Sequence, residues 1–142
     1  MKAVVFILIL LTVSCTVKPD KIVYGKDACH FCKMNIVDKA YAAQLVTKKG
    51  KQYKYDAVEC FLNDLALRDA TKIKFFLVTD YITPEKLVDA TSATYIISDE
   101  IQSPMGERLA SFEAKDIAVN YVEKNNGKLY TWSEIQQYFH TK

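Results

Sequence analysis

Gln52-Tyr53-Lys54-Tyr55-Asp56-Ala57-Val58-Glu59-Cys60-Phe61-Leu62 changes period partway along, and that change decides the fold. Gln52 to Tyr55 alternates aromatic and polar side chains, the signature of a half-buried strand. Asp56 to Glu59 then has the form of a capping box, an acid at the N-cap and a glutamate three residues on that would satisfy unpaired first-turn amides. The spacing predicts a helix from Asp56 to about Arg68, buried along Val58, Phe61, Leu62 and Leu65. Cys60 lies about 200° from Val58, off that face and with Asp64 and Leu67. At N4 it stands near the positive end of the helix dipole, which favours a thiolate and a nucleophile or ligand role; the alternative is a small apolar residue tucked under a loop.

Outward from this stretch, Tyr41 to Thr47 reads as a strand, joined to Gln52–Tyr55 through a hairpin at Lys48-Lys49-Gly50-Lys51. Lys74 to Thr79 is a third strand, and Asp80 to Asp89 a connection containing Thr83-Pro84. The second half repeats the order: strands at Thr94–Ile97 and Arg108–Phe112, a helix over Ala114–Lys124 and a returning strand at Lys128–Tyr130. Placing Tyr55-Asp56-Ala57 over Phe112-Glu113-Ala114 also brings Leu62-Asn63 onto Val119-Asn120. The expectation is an α+β chain of two small strand-strand-helix-strand units, 29–90 and 91–142. Asn125-Asn126-Gly127 stops the second helix, and a last short helix begins near Thr131, with Glu134 completing a capping box and Trp132, Ile135 and Phe139 against the body.

Cys29-His30-Phe31-Cys32-Lys33-Met34 packs two thiols, an imidazole and a thioether into one turn, a donor mix that suits a soft ion such as Cu(I). A disulfide, a zinc knuckle and two buried thiols beside a core methionine share that spacing. Met105 stands between Pro104 and Gly106, so the turn projects a second thioether from a loop; a methionine folded back onto the sheet is the alternative. His30 reads as an exposed loop histidine and a possible further donor, and His140 as a surface group.

Before the cysteine pair, Lys2 precedes an apolar run from Ala3 to Val13, too short to span a bilayer and of the length of a signal peptide core. It ends in Leu11-Thr12-Val13-Ser14-Cys15, which looks like a bacterial lipoprotein cleavage site, although the leucine lies one position further out than usual. Residues 1–14 are then removed, Cys15 is acylated, and 15–28 tethers the chain outside the cytoplasm. That leaves Cys29, Cys32 and Cys60, an odd number in an oxidising compartment, which suggests reactivity or metal ligation. A net charge of +2 with no basic run excludes a nucleic-acid binder, and no serine triad, phosphate loop or His-Glu-x-x-His signature is present.

Cys29-x-x-Cys32-x-Met34, Tyr55-Asp56-x-x-x-Cys60 and Pro104-Met105-Gly106, in this order behind a lipoprotein leader, resemble the NosL family of copper-binding accessory lipoproteins of nitrous oxide reductase maturation. The resemblance covers essentially the whole mature chain; Lys33 departs from it, standing where the family commonly has glycine. It implies a tandem of two strand-strand-helix-strand units related in fold to part of organomercurial lyase. It further implies a periplasmic, lipid-anchored Cu(I) carrier without catalytic turnover that hands copper to nitrous oxide reductase. Cys29, Cys32, Met34 and Met105 are the implied ligands, and Cys60 falls on the family's downstream cysteine.

Three other functions fit parts of the chain. A thiol-disulfide oxidoreductase would use Cys29 and Cys32, but no amphipathic helix follows the pair. A structural or sensory zinc site would need Cys29, Cys32, Cys60 and one histidine or acid. Cleavage of a carbon–metal bond rests on fold analogy alone.

Overall fold

The computed structural model describes residues 16–142; the expected signal peptide and the expected acylation at Cys15 lie outside the described residues. The fold is α+β, and its strands form two antiparallel sheets. The first sheet has the order β2-β1-β3-β4, from β1 (Ala43–Thr47), β2 (Gln52–Tyr55), β3 (Ile73–Thr79) and β4 (Leu87–Asp89). The second has the order β6-β5-β7, from β5 (Thr94–Ile97), β6 (Leu109–Phe112) and β7 (Lys128–Tyr130). Helix α1 (Val58–Leu65) follows β2 and helix α2 (Lys115–Asn125) follows β6, so β2-β1-β3 with α1 has the strand order of β6-β5-β7 with α2. Helix α3 (Trp132–His140) closes the chain.

Strand β1 is the hub of the first sheet and is buried on both faces: Ala43 to Val46 are all buried, with Gln44 bonded to Gln52 at 2.7 Å, and Leu45 pairs with Tyr53 on one side and Phe76 on the other. The short strand β4 was hidden in the expected connection. Its three residues pair with β3 through Val78 and Val88, and Pro84 and Glu85 ahead of it mask so short an apolar signal.

Helix α1 departs most from its reading. Its N-cap is Ala57, not Asp56, and no side chain caps it, so Cys60 occupies N3, not N4. All its residues but Asn63 are buried, Cys60 included. A helix lying between the first sheet, β6 and α3 has no solvent face for its amphipathic pattern to report. Tyr55 braces it against β2: the phenol donates to the Asp64 carboxylate at 2.5 Å, Asp64 also accepts from Arg68 Nε at 2.6 Å, and the Arg68 guanidinium lies 3.6 Å from the Tyr53 ring centre. Such a network fixes where the β2–α1 turn sits.

The predicted box at Thr131 is present, with Glu134 bonded back to the Thr131 amide. It aims Trp132 into a gap between Phe61, Phe76 and Tyr95, so α3 joins the two sheets through one shared aromatic core. Helix α2 ends at Asn125; Gly127 adopts φ +134, and a Cβ there would lie 2.9 Å from the Ile97 carbonyl oxygen. Only glycine fits so close an approach.

The stretch expected as a tether does not hang free. Lys18 O accepts from Gln52 Nε2 at 3.0 Å, Lys21 O from Lys54 Nζ at 2.8 Å, and Asp27 pairs with Lys54 at 2.6 Å. Ile22 and Tyr24 then reach Leu87 of β4, so the segment crosses the face of the first sheet that carries Gln44, Gln52 and Lys54 and buries it.

Candidate metal centre

The Cys29 loop is a tight excursion closed by a single bridge between Ala28 and Asn35. Its turn is held by Cys29 N–H donating to Met34 O at 2.7 Å and Lys33 N–H donating to Cys29 O at 3.0 Å. Lys33 takes φ +68, the left-handed conformation that glycine adopts without strain, and its ammonium bonds the His30 carbonyl. His30 N–H donates to Lys54 O at 2.8 Å, which seats the loop on the end of β2, directly beside the turn that leads into α1.

This docking brings together Cys29, Cys32, Asp56 and Cys60, whose ligand atoms all lie within 4.8 Å of one another. Cys29, Asp56 and Cys60 are buried and Cys32 is half-buried, so the group is reached from the Cys32 side. All three cysteines are free thiols. Two sulfurs about 2.3 Å from a common ion stand roughly 3.8 Å apart in a tetrahedron and about 4.6 Å apart in a line. The group is thus at or near the size that closes on one ion.

Asp56 is the residue sequence reasoning misplaced. Its carboxylate does not cap α1; it accepts from Cys32 Sγ at 3.5 Å inside the cluster. The signal available in the sequence was an acid four residues before a helical cysteine, which local capping explains equally well.

The thiols share protons. The Cys60 thiol donates to Cys29, and with the Asp56 and Cys32 backbone amides this lowers the Cys29 pKa to about 6 against the cost of burial. Cys60 moves the other way because Cys29 holds its proton and burial disfavours a second anion. Burial, then the neighbouring Cys29, pushes Cys32 up as well. The shared contact favours the thiolate at Cys29 over Cys60, and an arriving soft cation displaces the protons the thiols hold.

The two methionines stand at the surface. Met34, at the end of the cysteine loop, is 48% exposed, and Met105 is 40% exposed in a turn closed by Gly106 N–H donating to Ser103 O at 3.0 Å. The Ser103 hydroxyl bonds Glu59, the residue before Cys60, which places the Met105 turn against the first turn of α1. His30 is outside the cluster: its ring meets Tyr53 edge-on at 4.7 Å, and partial burial lowers its pKa. His140 is exposed at the end of α3.

The chain after Cys32 runs irregularly to β1, and no helix starts at the pair. The thiol with the lowered pKa is also the buried one, at 1% exposure, so a partner disulfide cannot reach it in this conformation.

No curated protein matches the chain. Among solved structures, that of the copper chaperone NosL from Shewanella denitrificans superposes with a TM-score of 0.68 at 24% identity, over 84% of this chain and 96% of that one, a likeness of fold. The NosL family model matches residues 21–139, which takes in the cysteine loop, both sheets and all three helices; the chain belongs to the NosL family.

Proposed function

We propose that this chain is a lipid-anchored, extracytoplasmic Cu(I) carrier, held in the membrane through Cys15 and passing its ion to nitrous oxide reductase or another copper acceptor. The observation that carries the reading is the convergence of three cysteine sulfurs from two segments of the chain at the base of an exposed loop. Thiolates at such spacing suit a soft ion, and the half-buried Cys32 with exposed Met34 and Met105 supplies outer donors for stepwise exchange. The relative of the same fold described as a copper chaperone supports the same reading. A carrier needs no catalytic turnover, only a site that releases its ion to a better one.

The test is an anaerobic Cu(I) titration of the reduced chain against a chromophoric chelator, with Cys29→Ser, Cys60→Ser and Met105→Leu. We expect about one ion per chain, bound at least tenfold more weakly without Cys29. An equal capacity in Cys29→Ser would sink the reading.

Asp56 favours a second reading, because three cysteines and a carboxylate also satisfy tetrahedral zinc. Asp56→Asn separates the two. A hard oxygen donor matters to Zn(II), whose affinity would fall at least about tenfold, and little to Cu(I).

A further inference from the structure

The chain carries nineteen basic and seventeen acidic residues, so any strong segregation of charge is local. It occurs at one end of the first sheet. Lys48, Lys49 and Lys51 occupy the β1–β2 turn, Lys72 directly precedes β3 and Lys74 is its second residue, and Lys18 belongs to the segment before the cysteine loop; all six are exposed.

Backbone contacts make them one patch. Lys48 N–H donates to Lys72 O at 2.9 Å, and Lys74 Nζ donates to Val17 O at 3.2 Å. Gln52 Nε2 bonds both Lys18 O and Gly50 O, and a Cβ at Gly50 would touch Val17 at 3.7 Å. The carboxylates at this end are Asp20, whose amide bonds Gln52, and Asp69. Among the described residues, Asp69 is the only carboxylate paired with any of the six, on Lys72 at 3.4 Å. An excess of positive charge is left without a carboxylate partner among the described residues.

We propose that this lysine-rich end is the face the protein lays on an anionic phospholipid surface. The proposal rests on the acyl anchor at Cys15. Val17 is pinned at the patch, and the two residues back to Cys15 reach at most about 7 Å. The bilayer must then meet the molecule where the lysines stand, within about one Debye length. Several lysines beside an anionic leaflet hold a surface against it.

The consequence is an orientation. Strand β2 leads from the lysine turn to Asp56 in the metal centre, about 16 Å at strand rise. The centre, with exposed Phe31 and Met34, is therefore held away from the lipid at the far end of the same strand.

The acylated full chain, purified in detergent, is reconstituted into vesicles of neutral phosphatidylcholine or of the same lipid with phosphatidylglycerol, and backbone amide exchange is compared. We expect amides of the Lys48–Lys51 turn and the Lys72–Lys74 stretch leading into β3 to exchange at least about threefold more slowly on the anionic vesicles. The protection should vanish in high salt and in a Lys48→Glu, Lys49→Glu, Lys51→Glu variant, with Cys29–Met34 unaffected throughout. Equal exchange in both vesicles, or protection of Phe31 to Met34 instead, overturns the orientation. The intact mass separates the two levels of argument: an acylated chain with an indifferent lysine end overturns this face and leaves the anchor standing, whereas a chain without acyl groups overturns both.

Discussion

The hydroxyl of Ser103 donates a hydrogen bond to the buried carboxylate of Glu59, so the turn that carries Met105 hangs from the helix that carries Cys60. Ser103 also accepts from Leu109 N–H at 3.3 Å, which ties the turn to the start of β6. A loop thioether is an effective donor only where its backbone is fixed, because an unfixed loop must be ordered when the ion binds.

Ser103→Ala should therefore weaken Cu(I) binding to about the level of Met105→Leu, and the double variant should be no weaker than either. Additive losses in the chelator competition would show that the serine serves stability alone.

Glu59 gives a pH signature. Burial raises its pKa, and its second carboxylate oxygen has no hydrogen-bond partner. A carboxyl whose folded pKa is raised contributes stability below its unfolded pKa, about 4.3, and loses it as pH rises through the folded value. Glu59→Gln keeps an acceptor for Ser103 and removes the charge. Its melting temperature should exceed that of the parent at pH 7, by about 2–8 °C per kcal/mol recovered, and converge with it near pH 4. A constant offset across that range would contradict the assignment.

For the thiols, Cys60→Ala removes the donor that lowers Cys29, so the first thiolate should titrate well above 6, read by ultraviolet thiolate absorbance without metal. The Cys29 pKa is depressed by folding, so its contribution to stability is present above the unfolded thiol value and lost as pH falls toward 6. Cys60, raised by the same contact, works in the opposite sense. Because the Cys60 shift costs stability only above the unfolded thiol value, stability should rise from about pH 6 to that value and fall beyond it, and metal retention should drop below pH 6. An unchanged first titration in Cys60→Ala would remove Cys60 from the cluster's proton sharing.

Lys33 holds the left-handed position of the cysteine loop at φ +68. The lysine departs from the glycine that the family resemblance leads one to expect, yet the backbone takes the conformation a glycine would. Lys33→Gly should stabilise the chain by about 0.5–1 kcal/mol, the left-handed strain relieved less the added unfolded-state entropy. Chemical denaturation measures it directly; a loss of stability would mean that the Lys33 ammonium on the His30 carbonyl matters more than the strain.

Where both partners of an interaction lie within a few residues, the sequence alone determined the outcome. The β1–β2 hairpin followed from strand composition around Gly50, and the α3 capping box formed between Thr131 and Glu134 as their spacing demanded. The cysteine loop was legible for the same reason, since Cys29 and Cys32 are one turn apart. What lay beyond local spacing was decided by tertiary structure. Asp56 had two outlets, a helix amide or the Cys32 thiol, and docking of the loop on Lys54 O selected the second. Cys60 was placed off the buried face of an amphipathic helix, yet β6 and α3 close over α1 and bury it. Strand β4 exists because β3 offers an edge to pair with, and residues 17–27 lie across one face of the first sheet because Gln52 and Lys54 bind their backbone and Asp27. Each is a choice among partners of similar local merit, and packing brings only one of them within reach.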